Sequence, residues 1–104
     1  MTDPANPFDH AQIDDVIHGR LRLGIMAYLS TASPAIFGEL KAKVGATDGN
    51  LSTHLRKLED AGYVRQEKRF VSRRPQTRVF LTDAGRKAWL IWIDRMQGLM
   101  RAAE

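Results

Sequence analysis

The segment from Thr47 to Gly62 constrains the fold of this 104-residue chain more than any other part, because its apolar and polar residues alternate with the period of an α-helix. Leu51, Leu55 and Leu58 recur at spacings of four and three residues, which places them on one apolar face. The Thr47 hydroxyl is expected to cap the helix N-terminus, and Gly62 is expected to end the helix in a left-handed backbone conformation. The segment therefore predicts one amphipathic helix.

The helix face opposite these leucines is polar and short-chained in its first half and basic in its second half. Small hydrogen-bonding side chains can approach base edges closely, and cations beside them can contact phosphates. We therefore hypothesise that this helix, residues 47–61, enters the major groove of double-stranded DNA. A solvated amphipathic helix is the alternative interpretation. The candidate DNA contacts on the helix are Thr47, Gly49, Asn50, Ser52, Thr53, His54, Arg56 and Lys57.

The segments before this helix complete a helix-turn-helix pattern. Residues 11–32 follow a helical pattern that is interrupted near Gly19, and Gly38–Val44 predict a two-turn helix. Gly45-Ala46 then form a tight turn into the next helix, and two short helices joined in this way are typical of the motif. Residues 35–37 are too short for an independent strand and are expected to add an edge to a small sheet.

The period changes from helical to alternating after Gly62, which predicts a β-hairpin. Residues 63–71 and 77–81 carry β-branched and aromatic side chains, and residues 72–76 contain a proline and are expected to form the turn. Residues 62–81 hold six lysines and arginines and one glutamate, a net charge of +5, whereas the whole chain carries +4. This hairpin tip is expected to contact the DNA backbone or the adjacent minor groove, whose potential attracts arginine. A solvated hairpin end is the alternative. The candidate contacts are Lys68, Arg69, Arg73, Arg74, Gln76 and Arg78.

A final helix over about residues 83–103, capped by Thr82, is predicted to mediate dimerisation. From Trp89 to Ile93 its sequence is apolar nearly all round, which is typical of a helix that is buried on more than one side. A chain of this length has a modest core, so we expect a homodimer in which the N-terminal helix packs on the partner's last helix. The alternative is that both tryptophans fill one intramolecular core. The candidate interface residues are Ile13, Val16, Ile17, Trp89, Trp92, Ile93, Met96, Leu99 and Met100.

The order of helix, turn, helix and hairpin resembles a winged helix, and the chain resembles the MarR/ArsR-type winged-helix transcriptional regulators, most closely their short single-domain relatives. The similar segments are RLGIMAYL, FGELKAKVGATDGNLSTHLRKLEDAGYV and RRPQTRVFLTDAGRKA, which together span about Gly19 to Ala88. The resemblance implies a homodimeric regulator that binds an operator and is usually a repressor. The chain departs from ArsR-type metal sensors because it has no cysteine.

Other function classes are disfavoured by what the sequence lacks. Without cysteine the chain has no disulfide, thiolate metal site or cysteine nucleophile. No nucleophile–base pair, phosphate-binding glycine loop or paired carboxylate stands out, so we expect neither an enzyme nor a cofactor. The spacing of His10 and His18 matches no strong metal-ligand pattern. No apolar run is long enough to span a bilayer, and the N-terminus is acidic and proline-broken, so we expect a cytoplasmic protein with no membrane partner.

The sequence therefore predicts an α+β, mostly helical fold. A flexible arm over residues 1–10 would precede one winged-helix domain over residues 11–104, with a two-stranded β-wing and a long C-terminal dimerisation helix. The expected function is sequence-specific binding to a pseudo-palindromic operator whose half-sites lie about 34 Å apart. The main alternative is a winged-helix module for protein–protein contact within a larger complex. A variant of the first function is a regulator gated by an effector, which the sequence does not identify.

Overall fold

The computed structural model describes residues 6–104 and has the predicted α+β, mostly helical architecture. The predicted flexible arm lies partly outside the described residues, and its flexibility stays a prediction. A short 3-10 turn over His10–Gln12 precedes the first α-helix. The remaining elements, in chain order, are α1 (Arg20–Thr31), β1 (Ala35–Ile36), α2 (Phe37–Val44), α3 (Asp48–Asp60), β2 (Val64–Val71), β3 (Arg74–Leu81) and α4 (Asp83–Ala102).

The core lies between the three helices α1–α3 and one face of an antiparallel sheet with the strand order β1-β3-β2. The leucine face of α3 is fully buried, as its spacing predicted. Burying one such side chain contributes roughly 1.5–3 kcal/mol to folding, so this face fixes the orientation of α3. The fully buried core side chains are Ile17, Ile25, Met26, Leu29, Ala35, Leu40, Leu51, Leu55, Leu58 and Val79, with Val64 nearly so.

The ends of the helix-turn-helix are formed by the residues that the sequence indicated. Gly45 ends α2 in the left-handed conformation at φ 68°. The Thr47 hydroxyl oxygen accepts a hydrogen bond from the backbone N–H of Asn50 at 3.2 Å, which caps α3. Gly62 follows α3 at φ 82° and turns the chain into β2. A side chain is disfavoured at such a backbone conformation, so both glycines set the angle between successive elements.

The N-terminal segment differs from the prediction. Only the part after Gly19 forms a regular α-helix, so the helical pattern assigned to residues 11–18, before the interruption, was wrong. Asp14 is the physical reason, because its Oδ1 accepts from the backbone N–H groups of Val16 and Ile17 at 2.8 and 3.2 Å and so competes with helical bonding. Its Oδ2 accepts from the Tyr63 hydroxyl at 2.5 Å, which raises the pKa of Tyr63 to about 12. The segment is thereby bound to the start of β2.

The hairpin is tighter than predicted. Strands β2 and β3 pair without interruption from Val64 opposite Leu81 to Val71 opposite Arg74. Only Ser72 and Arg73 form the tip, and both have left-handed φ values, 51° and 67°, as a two-residue type I′ turn requires. The predicted five-residue turn was therefore too long. Residues 74–76 are part of β3, where β1 does not reach, so a proline is tolerated there.

Helix α4 is attached to the domain at a close backbone contact. Its N-cap Thr82 accepts from the N–H of Gly85 at 2.9 Å and donates from its hydroxyl to the carbonyl oxygen of Gly62 at 2.6 Å. Gly85 itself lies so near the backbone of Tyr63 that a Cβ at this position would be 2.0 Å from the Tyr63 carbonyl oxygen. Within α4 this glycine is the one buried residue.

The molecule is elongated, at 54 × 22 × 22 Å with a radius of gyration of 15.4 Å. A compact chain of about 100 residues has a radius of gyration of about 13 Å. The hairpin tip and most of α4 are thus poorly covered by the rest of the chain. Across residues 6–104, no helix has the length and apolar character needed to cross a lipid bilayer.

Candidate nucleic-acid interface

Helix α3 presents an open polar surface on the side opposite its buried leucines. Apart from the Thr47 cap, the polar side chains of this surface form no hydrogen bond or ion pair with the described part of the chain, so their donors and acceptors are available to a ligand. These exposed residues are Thr47, Gly49, Asn50, Ser52, Thr53, Arg56 and Lys57. Seven of the eight predicted contacts on this helix therefore share one accessible face.

His54, the eighth predicted contact, is oriented differently. It is half-buried, and its Nδ1 lies 2.9 Å from Nη1 of Arg22 on α1. Because a guanidinium always donates, Nδ1 accepts, and the neutral ring carries its proton on Nε2. Nε of the same arginine donates to the carbonyl oxygen of Val16 at 2.5 Å. His54 thus ties α3 to α1 and to the N-terminal segment, a role that the sequence pattern did not indicate.

The environment of His54 makes stability depend on pH. Burial, followed by the charges of Arg22 and Lys57, lowers the pKa of His54 below its ordinary value of 6.5. The unfolded chain therefore binds a proton at higher pH than the folded chain does, so this stabilisation is complete above about pH 6.5 and is lost as the pH falls toward the folded pKa. We expect the urea midpoint of the wild-type protein to fall more between pH 8 and pH 5 than that of His54→Gln. Equal pH dependence in the two proteins would contradict this expectation.

The strand register divides the predicted wing residues between two faces of the hairpin. Lys68 and its cross-strand partner Thr77 lie on the face that is buried at its base, toward α3. Together with Ser52 and Arg56 of α3 they line one open cleft. Lys68 is therefore the predicted wing residue that shares a surface with the exposed side of α3.

The other hairpin face carries four of the predicted wing residues, Arg69, Arg74, Gln76 and Arg78. Arg69 Nε donates to Gln76 Oε1 at 3.0 Å, and Arg74 is exposed beside the tip. Arg78 is already engaged, because its Nη2 lies 2.5 Å from Oε1 of Glu67 and lowers the pKa of that carboxyl group. The tip residue Arg73 is exposed. Arg73 and Arg74 are thus the arginines with the freest access to a partner.

Helix α4 separates the predicted interface residues into covered and open ones. The Trp89 and Trp92 rings stack with their centroids 5.3 Å apart and pack against the core, so the intramolecular alternative holds for part of their surface. Ile17 is fully buried in this chain, so its assignment to a dimer interface was wrong. Met100 is 62 % exposed. The remaining predicted interface residues are half-buried: Ile13, Val16, Ile93, Met96 and Leu99.

Metal ligands do not cluster in the described part of the chain. Among residues 6–104, no group of three or more histidine, cysteine, aspartate or glutamate side chains is placed to hold a metal ion.

Comparison with known proteins identifies relatives over nearly the full chain. A family model described as a winged helix DNA-binding domain matches residues 21–100. An uncharacterized protein of Methanocaldococcus jannaschii is 34% identical over 89 residues, which is 86% of this chain and 97% of the relative. The solved structure of a transcriptional regulator homologue from Pyrococcus horikoshii OT3 superposes with a TM-score of 0.85 at 26% identity, covering 94% of this chain and 97% of that one.

Solved structural neighbours also include regulators of the two families that the sequence resembles. A MarR-family transcriptional regulator from Silicibacter pomeroyi superposes with a TM-score of 0.68 at 25% identity, covering 86% of this chain and 59% of that one. An ArsR-family regulator shares the fold as well. The resemblance drawn from the three sequence segments is thereby confirmed.

Proposed function

Because the chain belongs to the winged helix DNA-binding domain family, we propose that it is a transcription regulator that binds double-stranded DNA in a sequence-specific manner as a homodimer. The observation that carries this proposal is the exposed polar and basic face of α3, which shares a cleft with Lys68 of the hairpin. The relatives named as transcriptional regulators support it.

Helix α3 would read base edges with the side chains nearest its N-terminus. Asn50 and Thr53 are exposed, and their side chains have no partner among residues 6–104, so neither must break a bond to contact a base. An asparagine amide can pair with adenine through two hydrogen bonds, and a threonine offers both a hydroxyl and a methyl group. Arg56 and Lys57 follow one turn later and would contact phosphates. Lys68 lies across the cleft and would contact the same stretch of backbone.

The open stripe on α4 supports the homodimer. Beyond the tryptophans, Met100 is exposed and Met96 and Leu99 are half-buried, so all three retain apolar surface that a partner could cover. Their burial against a second copy, together with Ile13 and Val16, would remove apolar surface from water. A two-fold dimer of this kind would present two α3 helices to half-sites about 34 Å apart, and hence to a pseudo-palindromic operator. Occupying an operator would make the protein a repressor, acting on cytoplasmic DNA.

Fluorescence anisotropy tests the proposal directly. The purified protein would be titrated against a random duplex and against a pool of genomic promoter fragments at two salt concentrations. We expect steep salt dependence and one fragment that is retained far above the random duplex. Weak binding that is equal for all fragments would contradict sequence-specific recognition and would favour the protein-contact alternative.

Replacing Arg74 with alanine is expected to weaken binding to all duplexes by a similar factor. Arg74 is exposed beside the hairpin tip and would neutralise one phosphate, so the slope of log K against log salt should fall in magnitude by about 0.9. The measurement is the salt dependence of affinity for the retained fragment and for the random duplex. Lys87→Ala, on the exposed outer side of α4, removes the same charge and should leave the slope unchanged. A loss confined to the retained fragment would contradict the assigned role of Arg74.

A further inference from the structure

Phe70 is an exposed aromatic side chain at the end of the hairpin. It is 77 % exposed and takes no part in the hydrophobic core. Its cross-strand partner Pro75 is exposed as well, so the two residues form a small apolar spot two residues from the tip. A phenylalanine in this position does not stabilise the fold by burial, and its surface is available to a partner.

The apolar spot lies on the hairpin face that is directed toward α3. Side chains alternate between faces along a strand, so Phe70 is on the same face as Lys68 and as Val64, which is nearly fully buried in the core. Lys68 lines the cleft with the exposed side of α3, and Phe70 lies one step further out along the same face. A duplex that receives α3 in its major groove would therefore meet Phe70 where the hairpin crosses to the adjacent minor groove.

The charges around the spot favour DNA as its occupant. Lys68 lies on the same hairpin face as Phe70, and Arg73 lies at the tip. Arg69 and Arg74 lie on the opposite face. None of these four cations forms an ion pair within the described part of the chain. The one acidic residue of the hairpin, Glu67, is neutralised by Arg78 and Arg65. An apolar side chain with one cation on its own face and another at the tip matches a surface in which phosphates flank sugars and base edges, and the minor groove has that form.

We propose that Phe70 is an apolar wedge that enters the minor groove beside the α3 site, partly unstacks one base step and thereby bends the duplex. The inference rests on the proposed function. Apolar side chains inserted in this way unstack a base step and bend DNA by about 20–90°. The neighbouring arginines hold the hairpin against the phosphates while the ring contacts sugars and bases. Phe70 thereby adds specificity for a deformable step that α3 does not touch.

Substitutions at Phe70 distinguish an apolar wedge from a hairpin that contacts DNA only through its positive charges. In anisotropy titrations of the retained fragment, Phe70→Ala is expected to bind about tenfold more weakly, which corresponds to about 1.4 kcal/mol. Its salt slope should equal that of the wild-type protein, because no charge is removed. Phe70→Leu should retain most of the affinity, since leucine also serves as a wedge. Val71→Ala, 40 % exposed on the opposite face, is the matched control and should bind as the wild type does.

DNA bending provides a second readout. Energy transfer between dyes at the two ends of the fragment should report a bend of at least about 20° with the wild-type protein and a smaller bend with Phe70→Ala. Exchanging guanine for inosine and adenine for 2,6-diaminopurine in the flanking steps moves the minor-groove amino group without changing the major-groove pattern. Such exchanges should alter wild-type affinity and leave the affinity of Phe70→Ala nearly constant.

The two hypotheses fail in different ways. If the wild-type protein retains no fragment above random duplex, the proposed function fails and the wedge fails with it. If the wild-type protein retains a fragment and Phe70→Ala binds that fragment with unchanged affinity and bend, only the wedge is overturned. A Phe70→Ala variant that loses dimerisation while its DNA affinity and bend stay unchanged would also overturn the wedge.

Discussion

Replacing Gly85 with alanine is expected to destabilise the fold by more than about 3 kcal/mol. The added Cβ would lie 2.0 Å from the carbonyl oxygen and 2.8 Å from the carbonyl carbon of Tyr63, the residue immediately before β2. No rotamer change relieves such a contact, so α4 and the start of β2 must move apart. That movement disrupts the bond from Thr82 to the Gly62 carbonyl as well. Urea unfolding followed by far-UV circular dichroism measures the loss.

A matched substitution in the same helix controls for helix propensity. Gly98 also lies within α4, but a Cβ there meets no atom within 4 Å. Since alanine is favoured over glycine in a helix interior by about 1 kcal/mol, Gly98→Ala should leave stability unchanged or raise it slightly. If Gly85→Ala and Gly98→Ala unfolded at the same urea concentration, the close contact between α4 and Tyr63 would not exist in solution.

Charging the open stripe of α4 is expected to abolish dimerisation and to reduce operator affinity by at least about a hundredfold. In the double variant Met96→Glu with Met100→Glu, four carboxylates would face one another across the two-fold axis of the proposed dimer, without compensating cations in the stripe. A monomer engages only one half-site at a time, and the loss of linked binding costs a factor of about 10²–10⁴. Analytical ultracentrifugation and anisotropy on the full operator and on an isolated half-site measure both effects.

The outer side of α4 provides the control for this experiment. Leu90 and Ile91 are 59 % and 48 % exposed, and they lie away from the methionine stripe on the helix surface. The double variant Leu90→Glu with Ile91→Glu adds the same charge and should remain a dimer with wild-type operator affinity. Affinity for the isolated half-site should be equal in both variants. If the Leu90→Glu, Ile91→Glu variant were monomeric and the Met96→Glu, Met100→Glu variant were still dimeric, the interface would lie on the opposite side of the helix.

Helix α3 could be predicted from the sequence because its determinants are local. The leucine spacing, the Thr47 cap and the terminating Gly62 all act within four residues of the position that they fix. Once the buried face of α3 is known, the opposite face must be the exposed one. The start of α4 could be predicted for the same reason, because its N-cap Thr82 accepts a hydrogen bond from the N–H of Gly85, only three residues later.

The hairpin tip and the N-terminal segment could not be predicted in the same way. A two-residue type I′ turn is usually indicated by asparagine or glycine, whereas Ser72 and Arg73 adopt it here, so Pro75 suggested a longer turn. Asp14 interrupts the helical pattern through bonds to its own backbone and to Tyr63, which lies 49 residues further along the chain. A contact at that separation leaves no periodic signal.

The candidate site shows the same division between local and distant determinants. The exposed residues of α3 could be identified from their position opposite the leucines. The orientation of His54 depends on Arg22, 32 residues earlier in the chain, and the division of the wing residues between two faces depends on the strand register. Both require the tertiary structure.

The absence of internal bonds to the outward side chains of α3 has a consequence for how such proteins diversify. Asn50, Ser52, Thr53, Arg56 and Lys57 can each be exchanged without removing a core contact or an internal bond to the described part of the chain. In the proposed function, the residues that determine target choice would therefore be separate from those that determine thermodynamic stability. Gene duplication followed by substitution at these positions could produce paralogues with new operators at little cost in folding. A library randomised at these positions should yield mostly folded proteins.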